Sequence, residues 1–172
     1  MKTVDNKISE GGDFPELSTF FNIDKVHIKD VDLLVQIFDN YRQSEGERTD
    51  REGAKSFLLE RLSGEELTAF IATCENKCAV GFVNLYKSFS SVKMQQILIL
   101  NDLFVIPEFR NRGVGRALMQ ASYDLAKTST VQRLELKVLR DNLSARRLYE
   151  KADFAANFED VYYTRTIQAP VN

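Results

Sequence analysis

Apolar and polar positions along this chain repeat in two periods, and each change of period marks an element. "KVHI" at 25–28 alternates as a short strand. "DVDLLVQIFDNYRQ" then sets Val31, Leu34, Val35 and Phe38 on one helical face. Beyond the loop "SEGERTD" a second helix is expected. Thr49 and Glu52 are spaced as its capping box, Ala54, Phe57, Leu58 and Leu62 form its stripe, and Ser63-Gly64 is its stop. "LTAFIATC" and "CAVGFVNLYKSF" are strand-like runs around the polar "ENK", a hairpin signature, and "MQQILILNDLFVI" is a third run closed by Pro107. "GVGRALMQASYDLAK" predicts a helix burying Val114, Leu118, Ala121 and Leu125. "VQRLELKVL" alternates as a strand through Val131, Leu134, Leu136 and Val138, and "DNLSARRLYEKA" is a helix with Asp141 or Asn142 at its N-cap. "DFAANF" and "VYYTRTI" read as closing strands.

The expected order is β-α-α-β-β-β-α-β-α-β-β, an α/β fold with a mixed sheet. Its middle unit, Gln96–Ile106, helix, Val131–Leu139, reads as a right-handed parallel crossover. Residues 1–22 lack a sustained period and contain Gly11-Gly12, which predicts a flexible extension ahead of one domain over 23–172. A chain of 172 residues with 44% hydrophobic content suits one compact core. The N-terminal stretch has no secretory pattern and the longest apolar run, "ILIL", is far short of a membrane span, so a cytoplasmic protein without a membrane partner is expected.

Net charge is −2, but its distribution changes the picture. Residues 106–151 hold ten Lys/Arg against five Asp/Glu, whereas the rest holds thirteen against twenty. A nucleic-acid binder spreads positive charge more widely; this local excess suits a compact polyanion carrying phosphates. Cys74 and Cys78, with the single histidine His27, scarcely supply the ligands of a zinc site, so no metal is expected. The two cysteines read as reduced residues facing each other across a tight turn, and His27 as a structural strand residue.

The basic excess surrounds "PEFRNRGVGRAL". A helix N-terminus exposes unpaired N–H groups, Gly113 and Gly115 keep side chains out of the way, and Arg110, Arg112 and Arg116 add charge. Such a turn can cradle phosphates. A dinucleotide fingerprint fits poorly, because its third glycine position is Leu118 and too few parallel strands follow. "LFVIPEFRNRGVGRAL" instead resembles the acetyl-coenzyme A signature of the GNAT N-acetyltransferase superfamily, Q/R-x-x-G-x-G/A after a strand, as Arg110-x-x-Gly113-x-Gly115. "DNLSARRLYEKADF" is similar to that family's N-x-x-S/A-x-x-x-Y-x-K-x-G-F stretch through Asn142, Ala145, Tyr149, Lys151 and Phe154, with Asp153 in place of the usual glycine. The resemblance spans roughly residues 24–167. "LNDLFV", "FRNRGVG" and "DVYYTRTI" add a looser similarity to small polyamine and histone acetyltransferases.

The resemblance implies a cytoplasmic enzyme that moves an acetyl group from acetyl-CoA, its co-substrate, to a primary amine such as a polyamine or a protein lysine. The strand ending Leu103-Phe104-Val105 would splay from the strand beginning Val131 and hold the pantetheine arm. The pyrophosphate would rest on the N–H groups of Arg110, Asn111, Arg112, Gly113, Val114, Gly115 and Arg116. Asn142 would touch the pantetheine or anchor its helix, and Tyr149 would protonate the departing thiolate. Related diamine acetyltransferases carry a glutamate where this chain has Asn101, and an amide cannot accept a proton at neutral pH. Asp102 is the neighbouring candidate base, although strand alternation aims it away from Asn101. Acceptor specificity is expected from 41–49, 89–93 and 157–160, with Glu45, Glu47, Glu159 and Asp160 as an acidic rim. A possible homodimer is implied as well. The alternative is an acyl-CoA-binding module with little turnover.

Overall fold

The computed structural model describes residues 21–167. In chain order they form β1 (Phe21–Lys25), a 3-10 turn (Ile28–Asp30), α1 (Val31–Ser44), α2 (Arg51–Ser63), β2 (Leu67–Cys74), β3 (Ala79–Ser90) and β4 (Gln95–Val105). A second 3-10 turn (Pro107–Phe109), α3 (Val114–Thr128), β5 (Leu134–Leu136) and α4 (Leu143–Lys151) follow. The five strands make one sheet in the order β1-β2-β3-β4-β5, antiparallel except for the parallel β4–β5 pair joined through α3. The mixed α/β architecture and the crossover expected from the sequence are both present.

β3 carries the unbroken buried run Val80–Leu85, because helices cover both of its faces. On one face, Leu34, Ile37 and Phe38 of α1 and Leu58 of α2 pack against Phe82. On the other, Val114, Leu118 and Met119 of α3 pack against Val80, Val83 and Leu85. Ala121 and Leu125 are only half-buried; the buried line of α3 continues through Ser122 and Ala126.

Several local expectations need correction. The first strand precedes "KVHI": its ladder with β2 runs over Phe21–Lys25, and His27 leaves the sheet because its carbonyl accepts the Asp30 N–H in a turn. The strand therefore starts inside the stretch read as an extension, whose residues 1–20 lie outside the described part. The N-cap of α2 is Asp50, which accepts from Gly53 N at 2.8 Å, while the Thr49 hydroxyl turns to Asp39. Cys74 and Cys78 are joined in a disulfide across the β2–β3 turn, not reduced. Lys77 in the left-handed region (φ 57°) folds that turn so that the Cα atoms lie 5.5 Å apart, within disulfide range.

The largest departure is at the C-terminal end. The strand expected over 131–139 shrinks to Leu134–Leu136, and 154–167 contains no strand. Val161, Tyr162, Tyr163 and Ile167 are all exposed. Their apolar alternation is a strand pattern, but a strand also needs a partner edge, and β5 offers three residues.

Candidate active site

Where β4 ends, the chain makes two tight turns before α3 begins. Asn111 (φ 59°) and Gly113 (φ 85°) both take left-handed backbone, and only at Gly113 is that free of a Cβ penalty. Gly113 is the N-cap of α3, and the first intrahelical bond runs from Ala117 N to Gly113 O. The N–H groups of Val114, Gly115 and Arg116 are thus left for a ligand. A Cβ on Gly115 would lie 3.2 Å from Leu148 Cδ2 of α4, so this glycine also lets α4 close on the turn. The three arginines are placed differently. Arg110 Nε donates to Val105 O at 3.0 Å, Arg112 lies over the Phe109 ring at 5.4 Å, and Arg116 is exposed.

The parallel ladder of β4 and β5 stops at Leu100–Leu136, while β4 continues to Val105. Ile106 N donates to Val80 O on the β3 side. Alternation therefore turns the backbone groups of Leu103 and Val105 to the other side, where β5 has ended. This open edge beside a phosphate-type turn suits the pantetheine and pyrophosphate of coenzyme A, the former through backbone pairing and the latter through N–H groups and arginine charge.

α4 closes this side. Asn142 caps it by accepting from Ala145 N at 3.1 Å, so its carbonyl oxygen serves the helix and its amide N–H groups point elsewhere. Tyr149 is half-buried beside Phe154, with ring centroids 6.1 Å apart, and burial pushes its phenol above its ordinary pKa. Asp153, the departure from the family pattern, adopts φ 62°. The turn thus keeps the conformation a glycine would take, and aspartate tolerates it better than most residues.

The opposite face of the sheet carries a pocket of about 410 Å³ lined by Phe38, Tyr41 and Arg42 of α1, Asp50, Gly53 and Phe57 around α2, Tyr86 of β3, and Asn101 and Asp102 of β4. Strand alternation predicts Asn101 and Asp102 on opposite faces, yet both line it. The reason is a bulge: Asn84 pairs with Asp102 but Leu85 with Leu100, leaving Asn101 as the extra residue. Past it the phase is inverted, so Leu100 packs toward α3 while Asp102 faces α1.

Asp102 is 8% exposed and accepts from Asn84 Nδ2 at 3.1 Å and from Asn101 Nδ2 at 3.2 Å. Burial raises its pKa, and the polar side chains of Asn84, Tyr41 and Asn101 offset part of the rise. Tyr41 is raised too, first by burial and then by the Asp102 charge, with a smaller contribution from Tyr149. Asn84 is fully buried and its Oδ1 has no hydrogen-bond partner among the described residues.

Of the expected specificity segments, 41–49 contributes Tyr41 and Arg42, whereas 89–93 and 157–160 do not line the pocket. Glu159 and Asp160 belong to an exposed turn held by Asn157. Sequence reading missed Asn84, Asp50 and Tyr86 as lining or supporting residues. Only the tertiary pairing of β3 with β4 and the return of α2 over the sheet bring them in.

Residues 32–154 match the Acetyltransferase (GNAT) family. An uncharacterized N-acetyltransferase, YhfO, of Bacillus subtilis (strain 168) is 36% identical over 148 residues, covering 86% of this chain and 99% of the relative. A thialysine N-epsilon-acetyltransferase of Caenorhabditis elegans is 33% identical over 46% of this chain and 56% of its own length. The crystal structure of a probable acetyltransferase superposes with a TM-score of 0.79 at 30% identity, over 86% of this chain and 98% of its own. Among the described residues no helix is long and apolar enough to cross a membrane. A backbone cradle beside an unzipped strand edge, two family motifs in order and full-length relatives converge: the chain belongs to the GNAT family and is an acetyl-CoA-dependent N-acetyltransferase.

Proposed function

We propose that the acceptor is a primary amine bound in the pocket between α1, α2 and the sheet, attacking the thioester directly in a ternary complex. The observation that carries this reading is Asp102: a buried carboxylate that lines the pocket and sits next to Leu103, where the open edge of β4 begins. The relative named for N-epsilon acetylation of thialysine supports an amine acceptor of this kind.

Acetyl-CoA supplies the activated acyl carbon when bound. The outward backbone groups of Leu103 and Val105 would hold its arm, while Phe104 faces β3 and the α1-side core, and the turn Arg110–Arg116 would hold its pyrophosphate. An alkyl amine has a pKa of about 10.4, so roughly one molecule in a thousand is nucleophilic at neutral pH. Asp102, raised by burial, takes the ammonium proton, with Asn101 ordering a water where the transfer is indirect. The nitrogen lone pair forms the C–N bond, and the C–S bond breaks with its electrons on sulfur. Tyr149 gives that thiolate its proton and recovers one from the new amide nitrogen. The balance is one amide, one free thiol and one proton released.

Acetyl-CoA-dependent thiol release across a panel of amines tests the reading. The expected result is a rate that depends on the amine and falls in Asp102→Asn. Acetyl-CoA binding with no amine-dependent release would overturn the primary-amine acceptor.

A further inference from the structure

Proton removal at Asp102 accounts for one wall of the pocket and leaves the helix-side wall unexplained. That wall is organised by Asp39, a fully buried carboxylate of α1. One of its oxygens accepts from Arg42 Nη1 and from the Asp50 backbone N–H, both at 3.0 Å. The other accepts from Thr49 Oγ1 at 2.6 Å and Gln43 Nε2 at 3.2 Å. A buried carboxylate is costly unless its lone pairs are filled, and here every donor comes from the pocket-side end of α1 or the loop after it. The consequence is that the Arg42 guanidinium and the Asp50 backbone meet at one Asp39 oxygen, which brings a cation and an anion to the same wall of the pocket.

Both still have capacity for a ligand. The two Arg42 hydrogen bonds leave from Nη1, the second going to Arg48 O at 3.4 Å, so Nε and Nη2 carry none among the described residues. Asp50 Oδ1 accepts from Gly53 N, and its Oδ2 lies where a Cβ on residue 53 would collide. Glycine inside a helix is unfavourable, and at Gly53 it clears room for that carboxylate. Phe38, Phe57 and Tyr86 line the same pocket as this wall and Asp102, and their rings suit an aliphatic stem.

We infer that the paired Arg42 and Asp50 receive the α-carboxylate and α-ammonium of a free amino acid, and that the acceptor is a diamino acid whose side-chain amine reaches Asp102. The assignment rests on the acetyl-transfer reading above. A peptide lysine fits poorly, since its α-nitrogen and carbonyl are tied up in amides. A simple diamine offers Arg42 nothing to bind.

Initial rates with L-lysine, L-ornithine, 6-aminohexanoate, cadaverine and Nα-acetyl-lysine methylamide decide it. The free diamino acids are expected to exceed each of the other three by about tenfold or more in kcat/KM, the size of one lost charge-assisted contact. In Arg42→Gln the lysine-to-cadaverine ratio should collapse toward one. In Asp50→Asn, which keeps a good N-cap, the lysine-to-6-aminohexanoate ratio should collapse likewise. Equal or better use of cadaverine or the blocked lysine by the unaltered enzyme overturns the diamino-acid assignment and leaves amine acetylation standing. Ratios unmoved in folded variants, checked by thermal melting, also overturn it. No transfer to any of the five, with acetyl-CoA bound, overturns the small primary-amine acceptor on which this assignment rests.

Discussion

The two faces of the sheet are built from different materials. On the α3 face the features that suit a ligand are backbone groups: N–H groups at the start of α3, a left-handed glycine and a strand edge that has lost its neighbour. On the α1 face they are side chains, held by the buried carboxylates Asp39 and Asp102. Backbone cradles tolerate changes of side chain but not added bulk. Side-chain sites tolerate bulk at their rim but not the loss of a charge. A cofactor common to many relatives suits the first construction, and an acceptor that differs between them suits the second.

The sharpest way to break the comparison is Gly113→Glu. It places a carboxylate at the N-terminus of α3 and a Cβ on left-handed backbone, and acetyl-CoA affinity measured by calorimetry should fall by about a hundredfold or more. Unchanged affinity would remove the phosphate cradle. Next is Asp39→Ala on the opposite face, which strands several donors at once and should cost about 3 kcal/mol in denaturant unfolding. The same group carries a pH signature. Its pKa is lowered in the fold, first by the Thr49 hydroxyl and then by the Asp50 N–H. Its stabilisation is therefore complete above the ordinary carboxylate range and lost as pH falls through the lowered value.

Tyr149→Phe tests the proton donor proposed on α4. It should lower kcat by about tenfold to a hundredfold and leave acetyl-CoA affinity within a few-fold. Full activity would take the acid role from Tyr149. Asp102→Asn should reduce kcat yet raise Tm at pH 7, because burial has lifted the Asp102 pKa and the folded state is penalised as pH rises through that raised value. The gain in Tm should shrink in acid, where Asp102 is itself protonated. The smallest effect is expected at Asp153→Gly, a gain of about 0.5 kcal/mol from relief of left-handed backbone. A loss there would mean that the aspartate side chain matters to the turn.

The helices α1 to α4, the hairpin β2–β3 and the β4–α3–β5 crossover were legible from period and punctuation, because each depends on contacts close in sequence. The phosphate-type turn was legible for the same reason: glycine, arginine and a helix start are adjacent residues. The closing strands were not, because alternation in 161–167 says nothing about whether an edge is free to pair with it. The cysteines were misjudged, since spacing alone does not report how tightly Lys77 folds the turn.

What the sequence determined by itself was the family, the element order from β1 to α4 and the glycine-arginine turn before α3, all written in local patterns. What only the tertiary structure decided was the acceptor side. The bulge at Asn101 swings Asp102 into the pocket, and Asp39 draws Arg42 and Asp50 together from either side of the α1–α2 loop. Both depend on pairings between distant segments, where one residue of register decides which face a side chain takes.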